Sequence, residues 1–158
     1  MLLIAILVCT IRVEVLAIRQ QFLSTLGSKK VESETITLIL VDDHPVVREG
    51  LAGMLAGQPD FDVVATATDG SDALRLDTEH KPDVILMDMQ MPVMDGLEAT
   101  RRIKSQGAQI RVIALTLYSS YRAEALQAGV DAFLLKGCTA DCLLDAILER
   151  VPANGAVR

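Results

Sequence analysis

Five polar residues stand at the ends of short apolar runs. Asp42 and Asp43 follow ITLILV, Asp88 follows DVILM, Thr116 closes IRVIALT, and Lys136 follows DAFLL. If those runs are parallel strands, all five residues emerge on the carboxyl edge of one sheet, where ligands bind in open α/β folds. Three carboxylates crowded there repel one another, and a hard divalent cation relieves that repulsion. Mg²⁺ is the cytosolic candidate, held by one or two carboxylates together with waters and phosphate oxygens. A carboxylate beside such an ion can attack phosphorus to give an aspartyl phosphate, while the metal, a lysine and a hydroxyl neutralise charge on the transferring oxygens. Asp88 is the expected nucleophile, because its run would be central in a sheet of order 2-1-3-4-5 and adjacent to the strand carrying Asp42 and Asp43. Each residue alone reads as an ordinary solvent-facing group at a strand end. Their combination, with D-x-x-M-P-x-x-D-G after the third run, is what points to chemistry.

The elements that must position these residues follow a regular rhythm. Apolar runs without strict alternation begin near residues 36, 61, 83, 110 and 131, as expected of strands buried on both faces. Between them lie stretches of helical period, such as Val47, Leu51, Met54 and Leu55, then Leu97, Thr100 and Ile103. The last of these carries Leu143, Leu144, Ile147, Leu148 and Val151. One helix per gap is what parallel strands joined by right-handed crossovers require. Pro45 is placed to open the first helix, Gly57 and Pro59 to close it, and Gly129 to end the fourth. The predicted fold is therefore α/β, a doubly wound five-stranded parallel sheet of flavodoxin-like order 2-1-3-4-5. It spans residues 36–151 and is preceded by an N-terminal hydrophobic extension.

That extension dominates the composition. Of the first 18 residues 15 are apolar, and Arg12 is the first charge. A secretory signal would carry positive charge before its apolar stretch, and a spanning helix would have to take Arg12 and Glu14 into the bilayer. Residues 1–35 are thus read as an apolar extension plus a polar linker, with membrane contact only if residues 1–18 insert. Deleting residues 1–30 is expected to leave stability and phosphorylation unchanged. Residues 152–158 read as a tail resembling the start of a linker. The 158-residue chain carries a formal net charge of −6, no Trp and five other aromatic residues, a poor match to phosphate backbones or to stacked bases. Direct nucleic-acid binding by this chain is not expected. Its three cysteines suit a reducing compartment, and the expected location is cytoplasmic.

VDDHPVVREGL (41–51), DVILMDMQMPVMDGLEATRRI (83–103), VIALT (112–116), AGVDAF (128–133) and LLKG (134–137) closely resemble receiver domains of two-component response regulators. The DDHP-x-VREGL run is most similar to the subgroup whose members usually carry a C-terminal helix-turn-helix of the LuxR type. The resemblance implies that Asp88 is the phosphoacceptor, taking its phosphoryl group from a sensor histidine kinase. It makes Asp42 and Asp43 the acid pair and assigns Mg²⁺ to Asp43, Asp88 and the backbone carbonyl of Gln90. Thr116 and Lys136 would contact the phosphoryl group, and Phe133 would be the aromatic switch. It further implies self-catalysed phosphotransfer and autodephosphorylation in place of an enzyme acting on external substrates, and leaves a homodimer open. The alternative is a non-phosphorylated pseudo-receiver that serves only as an interaction domain. A phosphohydrolase would need a second acid where Gln90 stands, and no Gly-rich phosphate loop supports an NTPase.

Four departures from the family pattern carry expectations. The stretch between Thr116 and Lys136 is about two residues short, so the fourth helix (near Tyr118 to Ala128) should be short or rotated. Leu117 stands where a small residue is common, and Gly137 replaces the usual proline after Lys136. Gln90 and Tyr118 match positions that tune phosphoryl lifetime. Elsewhere, His44 reads as a loop or cap residue, Cys138 and Cys142 as an incomplete metal pair, and Arg101, Arg102 and Lys104 as a solvated helix face. Met87, Met89, Met91 and Met94 read as adaptable filling around the nucleophile's loop.

Overall fold

The computed structural model describes residues 35–107 and 109–149. The expectations for the apolar extension, the linker, Val151 and the 152–158 tail lie outside the described residues. In chain order the elements are β1 (Ile36–Val41), α1 (Pro45–Ala56), β2 (Phe61–Ala67), α2 (Gly70–His80), β3 (Val84–Met87) and α3 (Gly96–Ser105). There follow β4 (Arg111–Thr116), a 3₁₀ turn (Ser119–Tyr121), α4 (Arg122–Ala128), β5 (Ala132–Leu135) and α5 (Ala140–Leu148). All strand pairs are parallel and the order is β2-β1-β3-β4-β5, as expected.

Strand alternation sorts the apolar residues onto the two faces of the sheet. Ile39, Val41, Ile85, Met87, Val112 and Ala114 join Ala73 of α2, Leu97 and Ile103 of α3 and Ala125 of α4 in one cluster. Leu38, Leu40, Val84, Leu86 and Ile113 join Leu55 of α1 with Leu143 and Ile147 of α5 in the other. Each fully buried Leu or Ile stabilises the fold by roughly 1.5–3 kcal/mol, so the three central strands hold most of this driving force. The expectation that every strand is buried on both faces holds for β1, β3 and β4 and fails for β2 and β5. In β2 only Ala67 is buried, and β5 has no buried residue. These are the edges of the sheet, where one flank has no neighbouring strand.

Helix boundaries follow their punctuation. Pro45 occupies the first turn of α1 and Gly57 caps its end. Asp69 accepts hydrogen bonds from the N–H groups of Ser71 and Asp72 at the start of α2, and Asp95 accepts from Glu98 N–H at the start of α3. Gly129 ends α4 at φ 101°, a left-handed conformation that glycine adopts freely. With only seven residues after a 3₁₀ turn, α4 is short, as the missing residues predict.

Candidate functional site

The β1–β3 register pairs Val41 with Met87, and the ladder runs one residue further as Asp88 N–H donates to the Val41 carbonyl at 2.9 Å. Asp42 and Asp88 are therefore neighbours because the strands that end in them are neighbours. Both are nearly inaccessible, at 2% and 5% exposure. Lys136 reaches across from the end of β5 and places Nζ 2.6 Å from Asp42 Oδ2 and 2.7 Å from Asp88 Oδ2. On the next strand Thr116 is fully buried, and its carbonyl accepts the Lys136 N–H at 2.8 Å. Asp43 lies at the rim, with Oδ1 2.7 Å from His44 Nδ1. Asp42, Asp88 and Lys136 are thus brought together by contact, Asp43 offers a ligand atom within 4.8 Å of those of the other two aspartates, and Thr116 is tied to Lys136 through the backbone.

The electrostatics follow from burial. Desolvation pushes the Asp88 carboxyl above the ordinary carboxylate range, and the neighbouring Asp42 charge adds to this. Hydrogen bonding and attraction from Lys136, together with the Gln90 N–H, oppose it. Burial alone would lower Lys136, but its bonds to Asp42 and Asp88 outweigh that and hold the ammonium above its usual value. The two carboxyls thus offset what burial would cost the Lys136 ammonium.

A metal ion has suitable donors here. Asp42, Asp43, His44 and Asp88 each offer one ligand atom, all within 4.8 Å of one another. Asp43 Oδ1 is shielded from solvent and accepts no well-directed hydrogen bond, although His44 Nδ1 is close. A buried carboxylate oxygen without a well-directed hydrogen bond is costly, and a cation would satisfy it. Oxygen donors of this kind fit Mg²⁺. Gln90, whose carbonyl is the further expected ligand, lies in the loop directly after Asp88. Its N–H donates to Asp88 Oδ1 at 3.4 Å.

The remaining expected residues sit around this centre. Phe133 is half-buried in β5 and carries the Arg122 guanidinium 5.6 Å from its ring centroid. Tyr118 is half-exposed and, with Gln90, Ser120, Tyr121 and Glu124, lines a polar pocket of about 430 Å³. Leu117 is 63% exposed. It lines an open apolar cleft of about 510 Å³ with His44, Val46, Val47 and Leu51, which ends at Lys136. Residue 137 is glycine at φ 104°, and the described backbone contains no cis peptide bond.

Lys104 corrects one expectation. It is not part of a solvated basic face, since Nζ donates to the Ile110 carbonyl at 2.7 Å and pairs with Asp131 at 2.6 Å. Only Arg101 and Arg102 are exposed, both beside Glu98. Cys138 and Cys142 are free thiols, and burial together with the Cys142 thiol pushes Cys138 up. Met87, Met89 and Met91 are buried around the nucleophile's loop, as expected. His44 does occupy the N-cap of α1, but its side chain makes no capping hydrogen bond.

Three further residues support the site in ways that the sequence does not show. Gly96 N–H donates to the Met89 carbonyl at 3.2 Å, and a Cβ at Gly96 would overlap the carbonyl oxygen of Asp88. A Cβ at Gly70 would come within 2.9 Å of the Met94 carbonyl oxygen in the same loop. Arg48 donates from Nη1 to the Asp42 carbonyl at 2.5 Å and so braces the β1–α1 loop from inside α1. The glycine of the D-x-x-M-P-x-x-D-G pattern was visible as a motif, but its steric reason was not.

Comparison with known proteins agrees with this geometry. The family described as response regulator receiver domain matches residues 38–148. The transcriptional regulatory protein DegU of Brevibacillus brevis is 38% identical over 130 residues, covering 81% of this chain and 54% of that protein. The response regulator protein VraR of Staphylococcus aureus is 44% identical over 117 residues, covering 72% of this chain and 55% of that one. The chain thus spans about half the length of these curated relatives. Among solved structures, a LuxR-family two-component response regulator from Aurantimonas sp. SI85-9A1 superimposes with a TM-score of 0.69 at 36% identity, covering 73% of this chain and 84% of that one. The signal receiver domain of the putative response regulator NarL from Mycobacterium tuberculosis gives 0.68 at 35% identity, with 74% and 99% covered.

Proposed function

The chain belongs to the response regulator receiver domain family, and we propose that it acts as a phosphoacceptor, Asp88 taking a phosphoryl group from the phosphohistidine of a sensor histidine kinase. The observation that carries this reading is the Lys136 ammonium held between two buried carboxylates, Asp42 and Asp88, at the carboxyl edge of the sheet. An Asp88 oxygen attacks phosphorus, the P–N bond of the donor breaks, and the electron pair leaves with the imidazole nitrogen, which takes up a proton. The product is an acyl phosphate on Asp88. Lys136 then exchanges its bond to the Asp88 carboxylate for one to a phosphoryl oxygen, and the Thr116 hydroxyl donates to another.

Mg²⁺ would be held by Asp43, Asp88 and the Gln90 carbonyl, with Asp42 behind them, and when bound supplies charge neutralisation for the phosphoryl oxygens. Asp43 Oδ1, buried and without a well-directed hydrogen bond, supports its place as a ligand. The apolar cleft that ends at Lys136 is where we place the donor kinase, because the phosphoryl group must arrive beside that lysine. Movement of Thr116 toward the new charge shifts β4 against β5 and with it Phe133, which reshapes the surface formed by α4 and β5. In this role the chain turns over no external substrate, and only its own phosphorylation and dephosphorylation are catalysed.

Incubation with Mg²⁺ and acetyl phosphate, or with a phosphorylated kinase, should label the chain once, and Asp88→Asn should abolish labelling. Label that persists on Asp88→Asn would overturn the assignment. A chain that takes no label under either condition would instead be the non-phosphorylated interaction domain.

A further inference from the structure

His44 occupies the N-cap of α1, a position where Ser, Thr, Asp or Asn would accept a hydrogen bond from the first turn, yet its ring makes no such bond. The ring turns back over the acid pair. Nδ1 lies 2.7 Å from Asp43 Oδ1 and 3.3 Å from Asp42 Oδ1, and the side chain remains 65% exposed, free to adjust. Ligand atoms bound to one first-row dication at 2.0–2.2 Å sit about 3 Å apart, so these spacings suit a shared ion as well as the ion pair the ring forms without one. Asp43 Oδ1, the oxygen nearest the ring, is the buried atom that lacks a well-directed hydrogen bond.

We infer that His44 is a nitrogen ligand which biases this site toward first-row transition-metal dications over Mg²⁺. The inference rests on the reading of Asp42, Asp43 and Asp88 as a cation site. Mg²⁺ prefers oxygen donors and keeps its waters, so it leaves the imidazole outside its coordination shell. Co²⁺ and Ni²⁺ gain from an imidazole nitrogen in the Irving–Williams sense and would draw it in. The same three carboxylates thus serve two classes of ion, and the ring separates them.

The test is titration of the full-length chain with Co²⁺ and, separately, Mg²⁺ by calorimetry, with the Co²⁺ visible absorption as a second readout. Cys138→Ser and Cys142→Ser form the common background, so that thiols do not compete. His44→Ser, which keeps a residue suited to capping α1, should raise the Co²⁺ Kd tenfold or more. It should move the Mg²⁺ Kd less than twofold and shift the Co²⁺ absorption band. Parallel weakening of both ions, or no change in Co²⁺ binding, would overturn the inference. Asp43→Ala separates the two layers. If it weakens both ions while His44→Ser does nothing, the cation site stands and the role of His44 fails; if it changes neither, the cation site itself fails.

Discussion

Gly96 lies so close to the carbonyl of Asp88 that any side chain on it would occupy the space of that oxygen. The start of α3 and the residue expected to carry the phosphoryl group are therefore in backbone contact. Gly96→Ala must push α3 away or bend the loop. It should cost about 1–3 kcal/mol, as overpacking in a close-packed interior does, read as a lower urea midpoint with unchanged slope. A midpoint equal to that of the unmodified chain would show that the loop yields freely.

Lys136→Met should be more damaging than its position at an edge suggests. It removes the shared partner of two buried carboxylates. Breaking a buried pair by deleting one partner costs on the order of 3–5 kcal/mol, less whatever the pair recovers by protonating. Thermal unfolding followed from pH 5 to 8 would check this. The destabilisation should grow as pH rises, because Asp88, already raised by burial, then has to ionise without its lysine. A loss independent of pH would point to packing instead of charge.

Ion binding should appear as stability. Saturating Mg²⁺ at a hundred times its Kd should stabilise the chain by about 2.7 kcal/mol, and Asp43→Ala should remove most of that gain. Unfolding curves with and without the ion would decide the matter. An equal gain in the variant would place the ion elsewhere.

Asp77 is a buried acid outside the site, 4% exposed and with Oδ1 unpartnered. Desolvation raises its carboxyl above the usual range. A raised folded-state value means that the protonated form stabilises the fold at low pH, and this contribution is lost as pH rises through the folded value. Asp77→Asn should therefore stabilise the chain by about 1 kcal/mol at neutral pH, and by progressively less as pH falls and the raised carboxyl takes up its proton. A variant that is less stable at pH 7 would mean that the charge has a partner in solution.

Val93 holds φ at 66° in the loop between Asp88 and Gly96, and it is 90% exposed. A β-branched residue there carries a conformational cost that glycine does not, on the order of 1–2 kcal/mol. Part of it is recovered as unfolded-state entropy in Val93→Gly, so a net gain of about 0.5–1 kcal/mol is expected in urea unfolding. A loss of stability would show that the Val93 side chain makes contacts that outweigh the strain.

Much of this molecule is legible in its residues. Once the flavodoxin-like strand order is taken as the template, five apolar runs, the polar residue closing four of them, and punctuation at Pro45, Gly57 and Gly129 suffice for the elements and the edge on which Asp42, Asp88, Thr116 and Lys136 meet. These features are local, and side-chain period and strand direction fix them. The reasons for Gly70 and Gly96 are not local, because each depends on how closely the nucleophile's loop passes beneath a helix. The role of Lys104 was hidden likewise. Among Arg101 and Arg102 it reads as one of a basic run, and only the tertiary fold brings Asp131 to it from 27 residues away. Exposure of β2 and β5 is a property of rank in the sheet, which an apolar run does not announce.

The amino edge of the sheet is tied differently from the carboxyl edge. There Asp83 Oδ2 accepts both the Thr37 N–H and its hydroxyl, at 2.8 and 2.7 Å, which joins the starts of β1 and β3. Asp131 Oδ2 accepts the Val112 N–H at 2.8 Å and the Lys104 ammonium at 2.6 Å, which joins β4 to β5 and to the end of α3. None of these ties involves a group that would gain or lose a phosphoryl charge. The strands behave as spokes clamped at a hub. Were Asp88 to take up the proposed phosphoryl charge, these ties would hold the far ends of the strands while their carboxyl ends adjust, so the fold itself need not loosen for the surface to change.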